Sequence, residues 1–450
     1  MVRSIMDYFH YKNGQLYCED VAIDDVVAET GTPAYVYSRR TFEHHYDAVV
    51  AAFAELDPLI CYSIKSCGNV HILRMLAERG AGMDVVSGGE LYRAQQAGVD
   101  MGKVVYAGVG KTDAEIRAAL EAGIGWFNIE SEQEFENVAR LAGEMGVTAQ
   151  GALRVNPDVD PATHAKTTTG KKETKFGVDI DRARRFFQSY GNDAHLKLNA
   201  LHLHIGSPIY KIEPYAEAIR KALALIEDLR GQGYTIDAID IGGGYGADYE
   251  TDQTPRYAEY AARIVPLLRP FKQGGGRVIL EPGRSIAANA GVLVTQVQYV
   301  KQGGSKTFVI VDSGMHHLIR PTLYEAFHFV WPTKVAPEQE PSRRTGRVHL
   351  PGLRTCDVVG PVCESGDYLA KGRELPAVQR GDNLAVFSAG AYGMVMASHY
   401  NALPNPPEVL VEGDRFTVIR RRETYEDLLA LEQTPAVPAR APSPVGRGLG

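Results

Sequence analysis

A lysine stands at the end of a short apolar run, Leu59–Lys65, that has the composition of a buried strand. An ammonium group without a partner is costly to bury, so two interpretations of Lys65 compete. A snorkelling lysine would keep its Nζ in water at the rim of the protein. A Schiff-base lysine would use a pKa that desolvation readily lowers. Lys65 by itself does not decide between the two.

An acidic residue lies inside the next apolar run, Gly82–Val86, which is followed by small residues. A buried aspartate needs a cation, and Lys65 on the neighbouring run is the obvious partner for Asp84. Ser87, directly after the run, is also suited to cap a helix. Asp84 is therefore predicted to lie beside Lys65 at a cofactor-binding site.

Two histidines alternate in the segment Leu201–Ser207, so a strand would place His202 and His204 on one face. Such a pair could bind a metal, as in metal-dependent barrel hydrolases. The other apolar runs supply no convincing set of further ligands, and we expect no metal. The better interpretation stacks the His204 ring on a cofactor ring, with Ser207 as a hydrogen-bond donor.

Two later runs end in groups that suit an anion. The segment Asp240–Gly246 contains three consecutive glycines, which let backbone amides approach a phosphate: Gly242, Gly243 and Gly244. The next run ends in Glu281-Pro282-Gly283-Arg284, where a rigid turn presents a carboxylate and a guanidinium. An ordinary surface pair is the alternative. In a cofactor site, Glu281 would keep a pyridinium nitrogen protonated, and Arg284 would bind a phosphate or carboxylate.

These groups together are a lysine for a Schiff base, a ring-stacking histidine, a phosphate cradle and a carboxylate for a ring nitrogen. They are the parts that a pyridoxal 5'-phosphate site needs. The sequence therefore predicts an enzyme that depends on this cofactor.

The elements that must position these groups alternate regularly between about residues 58 and 284. Eight runs are typical of strands: Leu59–Lys65, Gly82–Val86, Val104–Gly108, Trp126–Glu130, Gly151–Asn156, Ala200–Gly206, Ala238–Gly243 and Arg277–Gly283. Stretches of helical periodicity lie between them: Val70–Arg79, Gly89–Ala97, Asp113–Ala122, Ser131–Ala142 and Tyr215–Gln232. Eight such repeats favour a (β/α)8 TIM barrel over a doubly wound open sheet, with the active site at the carboxyl ends of the strands.

After Arg284 the pattern becomes β-rich. The predicted strands are Val292–Val300, Thr307–Val311, Arg347–Leu350, Asn383–Phe387, Glu408–Val411 and Phe416–Arg420, and the predicted helices are Gly390–Asn401 and Glu423–Glu432. Two earlier strand-like pieces, Gln15–Cys18 and Ala34–Tyr37, are candidates to pack with this region. We predict a cofactor-binding α/β barrel over residues 36–285, a discontinuous β-rich domain, sandwich-like or barrel-like, of residues 1–35 and 286–433, and a disordered tail over residues 434–450.

The composition is that of an ordinary globular protein, with 450 residues, 44% hydrophobic and 23% charged. The net charge is −7 and no Lys/Arg-rich run is present, so neither nucleic acid nor an anionic membrane is an expected partner. The residues from Met1 to Asp7 do not resemble a signal peptide. The five cysteines form no C-x-x-C pair, which fits a reducing, cytoplasmic setting.

In order and spacing, the motifs around Lys65, His204, Gly243 and Glu281 resemble those of the fold-type III, alanine-racemase-like pyridoxal phosphate decarboxylases. The resemblance covers roughly residues 10–430. Within that group, three segments of the β-rich region resemble the diaminopimelate decarboxylase family: Leu318–Tyr324, Gly360–Asp367 and Ala389–Gly393. Two segments depart from the family pattern, Ser66–Asn69 and Met315–His317.

The resemblance implies decarboxylation of meso-2,6-diaminopimelate at its D-centre to L-lysine and carbon dioxide, the last step of lysine biosynthesis. It implies that Arg320 and Tyr324 contact the distal end of the substrate. It also implies that Tyr392 meets both cofactor and substrate. Arg284 and Arg320 suit the distal carboxylate, and Glu364 suits the ammonium beside it. Ornithine and lysine decarboxylases recognise a distal amine alone, and this contrast favours diaminopimelate.

The resemblance further implies that Cys363 donates a proton to the α-carbon after carbon dioxide leaves. In the family, Cys363 and Glu364 would belong to a motif that reaches the active site of the other subunit, so a homodimer is implied. A free cysteine is more often a small buried apolar residue than a catalyst. A catalytically inactive relative would be expected to lack Lys65 or Cys363, and both are present. Related substrates such as D-lysine or D-ornithine stay open.

Overall fold

In the computed structural model, the described residues are 7–160 and 175–432. Eight parallel strands close into a barrel, because each pairs with the next and the last pairs with the first. The barrel strands are β5 (Leu59–Ser63), β6 (Gly82–Val85), β7 (Val104–Tyr106), β8 (Trp126–Ile129), β9 (Ala149–Asn156), β11 (Leu196–His202), β12 (Ala238–Asp240) and β13 (Arg277–Leu280). A two-residue strand, β10 (Val178–Asp179), adds to β9. The predicted barrel is confirmed.

A helix follows each barrel strand. These helices are α3 (Val70–Glu78), α4 (Gly88–Gln96), α5 (Asp113–Ala122), α6 (Glu132–Met145), α7 (Ile180–Tyr190), α8 (Glu213–Gly231), α9 (Tyr257–Gln273) and the short α10 (Arg284–Ala287). Side-chain caps fix where several begin: Ser87 accepts from the Glu90 amide, and Thr112 forms a capping box with Glu115. The five predicted helices are therefore present.

Most barrel strands end one to three residues before the predicted runs do. Lys65 lies in a 3-10 turn, Ile64–Ser66, rather than on β5. His202 is the last residue of β11, so His204 lies in the loop that follows it. Lys65, His204 and Glu281 thus belong to the loops that turn over the mouth of the barrel, whereas Asp84 stays on β6.

The second sheet is built largely from the residues after the barrel. Its strands are β14 (Gly291–Gly303), β15 (Lys306–Val311), β16 (Val330–Pro332), β17 (Arg354–Val359), β18 (Tyr368–Leu375), β19 (Asn383–Val386), β20 (Glu408–Glu412) and β21 (Arg415–Arg420), with β4 (Ala34–Ser38) inserted between β14 and β20. The early strand β4 therefore packs with the second domain, as predicted for Ala34–Tyr37. The remaining strands, β1 (Phe9–Lys12), β2 (Gln15–Cys18) and β3 (Val21–Ala22), form a separate small sheet.

Among residues 7–160 and 175–432, four helices lie outside the eight repeats. They are α1 (Ile23–Thr30), α2 (Arg39–Ala52), α11 (Arg320–Tyr324) and α12 (Tyr425–Leu429). The last of these is shorter than the predicted helix Glu423–Glu432. No helix of the described residues combines the length and the apolar character that crossing a bilayer requires.

Two predictions for the second domain are wrong. Arg347–Leu350 forms no strand, because no described strand lies alongside it to pair. The segment Gly390–Asn401 forms no α-helix and contains only two 3-10 turns. Tyr392 has a left-handed φ of 56°, which an α-helix does not allow, and its amide donates to the carbonyl of Ser66. The predicted tail, residues 434–450, lies outside the described residues.

Candidate active site

Lys65 and Asp84 form an ion pair at the mouth of the barrel. The Nζ of Lys65 lies 2.6 Å from Oδ2 of Asp84, which also accepts from the hydroxyl of Ser63 at 2.6 Å. Burial alone would lower the pKa of Lys65, but the carboxylates of Asp84 and Glu281 raise it above its usual value. The predicted pair is present, and the two carboxylates outweigh the desolvation that by itself would favour a neutral lysine.

Glu281 is buried in the barrel between polar groups of three strands. Its Oε1 accepts from the amide of Asn128 at 3.2 Å, and its Oε2 lies 3.3 Å from Nε2 of His202. Burial favours protonation of Glu281, but His202, followed by Lys65, outweighs it and lowers the pKa of Glu281. Glu281 is therefore a carboxylate held ready for a positively charged partner.

Asp240, a fully buried carboxyl group, lies close to Glu281. Its Oδ1 accepts from the amide of Gly242 at 2.8 Å. Burial and the neighbouring charge of Glu281 raise the pKa of Asp240 well above its usual value. Two adjacent buried carboxyl groups thus divide into one charged group and one neutral group.

The glycines after β12 leave no room for side chains. A Cβ at Gly242 would overlap the carbonyl of Leu203, one at Gly243 the carbonyl of Glu281, and one at Gly244 the carbonyl of Gly206. Gly283, in the loop after β13, is similarly confined, because a Cβ there would lie 2.8 Å from the Cβ of Ser63. The loop after β12 therefore packs so closely against its neighbours that only glycine fits, and its backbone can approach an anion closely.

Arg284 follows Gly283 and reaches over the same loops. Its Nε donates to the hydroxyl of Ser207 at 3.0 Å, and its Nη1 donates to the hydroxyl of Tyr249 at 2.9 Å. The guanidinium also lies over the ring of Tyr392, 4.6 Å from the ring centroid. Arg284 is 8% exposed and forms no salt bridge with any described residue, so its charge is available to an anionic ligand.

A cavity of about 340 Å³ opens beside these residues, between the barrel and the second domain. Its described lining contains two arginines and no carboxylate: His204, Ser207, Pro208, Tyr210, Tyr249, Gln253, Arg284, Arg320, Tyr324, Ala326, Phe327 and Tyr392. The fold thus brings together Arg284, Arg320, Tyr324 and Tyr392, which the sequence places up to 108 residues apart. With two arginines in its lining, such a cavity suits a small molecule that carries negative charge.

Cys363 and Glu364, predicted to act on the substrate, do not line this cavity. The predicted cofactor residues Lys65, Asp84, Glu281 and the four glycines also lie outside its lining. Cys363 and Glu364 are both exposed, on the loop between β17 and β18. Asp367 holds this loop by accepting from the amides of Met315 and Val362, and the amide of Cys363 donates to the side chain of Asn401 at 2.9 Å. Within one chain, the predicted proton donor is therefore separate from the cavity.

The two histidines of the HxH segment have different surroundings. His202 clusters with Asp240 and Glu281. One ring nitrogen and two carboxylate oxygens of these side chains, each of a type that can bind a metal, lie within 4.8 Å of one another. His204 is not part of that cluster and lines the cavity instead. Burial lowers the pKa of His204 well below its usual value, so its ring is neutral and suited to stacking.

Several residues of the site were not predicted from the sequence. Tyr249 lines the cavity. His328 does not line it but contacts Arg320, which does. Asn128 and Asp240 lie next to Glu281, and each is a polar residue inside a predicted apolar strand. A polar residue in such a strand was a usable signal for these two. Nothing in the sequence pattern singled out Tyr249 or His328.

Pyridoxal 5'-phosphate fits these residues. The glycine loop is a cradle that any Cβ would fill, Arg284 is a buried cation, and Glu281 is a buried carboxylate. Two buried acceptor atoms, Oδ1 of Asp84 and Oδ1 of Asn128, have no hydrogen-bond partner among the described residues. The barrel and this set of groups define a pyridoxal phosphate enzyme of the barrel class.

Comparison with known proteins gives the family. The model for the pyridoxal binding domain of pyridoxal-dependent decarboxylases matches residues 39–288. A diaminopimelate decarboxylase from Aquifex aeolicus is 44% identical over 95% of this chain and 97% of its own length. The chain belongs to the diaminopimelate decarboxylase family of pyridoxal-dependent decarboxylases, and its cofactor is pyridoxal phosphate.

Solved structures agree. A diaminopimelate decarboxylase from M. jannaschii in complex with L-lysine has a TM-score of 0.88 at 35% identity, covering 96% of this chain and 98% of that one. The enzyme from Helicobacter pylori with L-lysine has a TM-score of 0.84 at 38% identity, covering 91% of this chain and 98% of that one.

Proposed function

We propose that this protein decarboxylates meso-2,6-diaminopimelate at its D-centre and releases carbon dioxide and L-lysine, the last step of lysine biosynthesis. The observation that carries this assignment is the pair of buried arginines, Arg284 and Arg320, in a cavity whose described lining has no carboxylate. A buried cation without a counter-charge is costly. Two such cations favour a ligand that brings a phosphate to one and a carboxylate to the other.

The cofactor would be held by residues from several strand ends. Lys65 would hold it through Nζ, the Gly242–Gly244 loop and Arg284 would hold its phosphate, and His204 would cover its ring. When bound, it supplies an electron-accepting ring for the bonding electrons of the departing carboxylate. Glu281 would hold a proton at the ring nitrogen, because the structure keeps this carboxylate charged.

The substrate would be oriented by the cavity wall. Arg320 and Tyr324 would anchor the distal L-end, and Arg284 and Tyr392 would lie between the distal end and the cofactor. Fixing the distal end orients the bond to the α-carboxylate before it breaks. When Lys65 is not bonded to the cofactor, its ammonium group would donate a hydrogen bond to Asp84, since the two groups are already 2.6 Å apart.

We further propose a homodimer in which a second copy supplies Cys363 and Glu364. Both side chains are exposed, on a loop anchored by Asp367, and neither lines the cavity of its own chain. Within one subunit, this exposed thiol lies apart from the groups assigned to the chemistry. Across an interface, Cys363 would protonate the α-carbon and Glu364 would bind the distal ammonium. A reducing, cytoplasmic compartment suits this free thiol.

The division of the chain into a barrel of residues 36–285 and a discontinuous β-rich domain of residues 1–35 and 286–433 is also part of the proposal. The pairing of β4 with β14 and β20 supports the discontinuity, and it extends the first segment of the β-rich domain to Ser38.

The test offers the purified protein meso-diaminopimelate, L-lysine and L-ornithine in parallel and measures the release of carbon dioxide. We expect release from diaminopimelate far above that from the other two. The wild type should also have a visible absorbance band that Lys65→Ala abolishes. A preference for L-lysine or L-ornithine would overturn the substrate assignment, and a colourless wild type would overturn the cofactor assignment.

A further inference from the structure

Arg320 has an unusual partner for a buried cation. It is 6% exposed, and its Nη1 lies 2.8 Å from Nε2 of His328, which is fully buried. Its guanidinium also lies over the ring of Tyr249, 4.4 Å from the ring centroid. No described carboxylate forms a salt bridge with Arg320. Both neighbours are acceptors that carry no full negative charge.

The protonation of His328 follows from its second hydrogen bond. Its Nδ1 lies 2.9 Å from the carbonyl oxygen of Phe387, which can only accept, so Nδ1 carries the hydrogen. In the neutral ring, Nε2 is then a lone pair directed at Arg320. Burial, together with the charge of Arg320, lowers the pKa of His328 to about 3, so the ring stays neutral at working pH.

Tyr249 connects this pair to the cofactor side of the cavity. Its ring meets that of His328 edge-on, with centroids 5.6 Å apart, and its hydroxyl accepts from Arg284 at 2.9 Å. Burial raises the pKa of Tyr249, but the charges of Arg284 and Arg320 outweigh this and lower it. Phe387, His328, Arg320, Tyr249 and Arg284 thus form one continuous chain of contacts.

A neutral partner and an acidic partner would have opposite consequences for Arg320. An acidic side chain at position 328 would neutralise the guanidinium and leave nothing for a ligand carboxylate. A neutral imidazole fixes the direction of the guanidinium and leaves its positive charge intact. The identity of residue 328 therefore controls whether the distal end of the cavity attracts a carboxylate.

We propose that His328 is a positioning residue for Arg320 and that, as an uncharged acceptor, it makes the cavity select ligands with a distal carboxylate. The proposal rests on the proposed function in taking the distal end of diaminopimelate as the natural ligand of Arg320. It concerns selectivity at that end and not the decarboxylation step.

The test measures binding of two probes to the holoenzyme by calorimetry. L-lysine carries the distal carboxylate, and cadaverine is the same diamine without it. His328→Gln can reproduce both hydrogen bonds, whereas His328→Glu has nearly the same shape and adds a negative charge. We expect His328→Glu to weaken L-lysine binding about tenfold to a hundredfold relative to His328→Gln, with cadaverine binding unchanged or tighter.

Two further variants separate positioning from general damage. His328→Leu removes the acceptor and should weaken L-lysine binding about tenfold without affecting cadaverine. His317→Gln is the matched control, because His317 is a buried, hydrogen-bonded histidine that does not line the cavity. It should change thermal stability and leave the preference between the two probes as in the wild type.

Equal affinity of the Gln and Glu variants for L-lysine would overturn the proposal. An equal loss of both probes in every His328 variant would also overturn it, since that pattern means collapse of the cavity. Failure of the proposed function is distinguishable: the wild type would then release no carbon dioxide from diaminopimelate, whatever the probes show.

Discussion

The Nζ of Lys65 and Oδ2 of Asp84 are 2.6 Å apart, and Asp84 is completely buried. The lysine is 35% exposed through its side chain, so the pair lies at the boundary between the barrel interior and the mouth. The carboxylate stabilises the protonated amine. The lysine is therefore held in place but kept from acting as a nucleophile until its proton is removed.

This ion pair predicts the pH dependence of cofactor uptake. Only the unprotonated Lys65 can attack a carbonyl, so uptake by the cofactor-free protein should accelerate as the pH rises. In Asp84→Asn the pKa of Lys65 should fall, since burial lowers it and one opposing charge is gone. We expect the uptake profile of the variant to move to lower pH, measured by the growth of visible absorbance after mixing. An unchanged profile would show that Asp84 does not control the lysine.

Glu281→Gln tests the buried carboxylate. The amide keeps the shape but loses the charge that His202 and Lys65 maintain in the wild type. Turnover should fall roughly a hundredfold, because a preorganised charge at the ring nitrogen is lost. Lys65 should still hold the cofactor, so the holoenzyme should keep its colour. Turnover within a few-fold of the wild type would contradict the role given to Glu281.

Cys363→Ala tests the proton donor together with the dimer. The variant should retain the cofactor and lose most of its turnover number, measured under saturating substrate. Lys65→Ala should be inactive for a different reason. If Cys363 acts across the interface, mixing the two variants should restore roughly a quarter of the wild-type activity, because half of the dimers are mixed and each has one complete site. Mixtures that stay inactive would place both residues in one chain.

The control for this complementation is the double variant, Lys65→Ala with Cys363→Ala, mixed with wild type. Its mixed dimers have one defect in each site and should add no activity. A buried thiol, Cys356→Ala, should leave the turnover number unchanged, since it lies on β17 away from the cavity.

Three buried histidines predict how stability depends on pH. Burial lowers the pKa of His316 to about 4, and of His317 and His328 to about 3. The pKa of a histidine in the unfolded chain is about 6.5. Below that pH the unfolded chain binds protons that the folded chain does not, so the free energy of unfolding falls as the pH falls. For His328, the facing cations Arg320, Arg373 and Arg284 reinforce this direction.

His328→Gln removes one such group. Below about pH 6, the free energy of unfolding of the variant should decline less steeply than that of the wild type. The two slopes should differ by about 1.4 kcal/mol per pH unit, the contribution of one proton. Urea unfolding of both proteins over a pH series measures the difference. Parallel slopes for His328→Gln and wild type would mean that the ring is protonated in the folded protein.

Much of the fold followed from local pattern. The eight barrel strands repeat apolar runs between helical stretches, and caps such as Thr112 mark where helices begin. The pattern failed where contacts override it. Gly390–Asn401 was predicted to be a helix, yet the backbone at Tyr392 is left-handed and its amide donates to Ser66 of the barrel. The limits of the domains and the roles of the site residues stay predictions.

The sequence by itself determined the cofactor and the order of its binding groups. Lys65, the three glycines and Glu281 each follow a strand, and parallel strands of a barrel bring their carboxyl ends to one mouth. Only the tertiary structure decided which polar groups meet. It directed His202 to Glu281 rather than into a metal-binding pair with His204, and it placed His328 and Tyr249 against Arg320. Such contacts arise when the barrel closes and the domains pack, and no local periodicity records them.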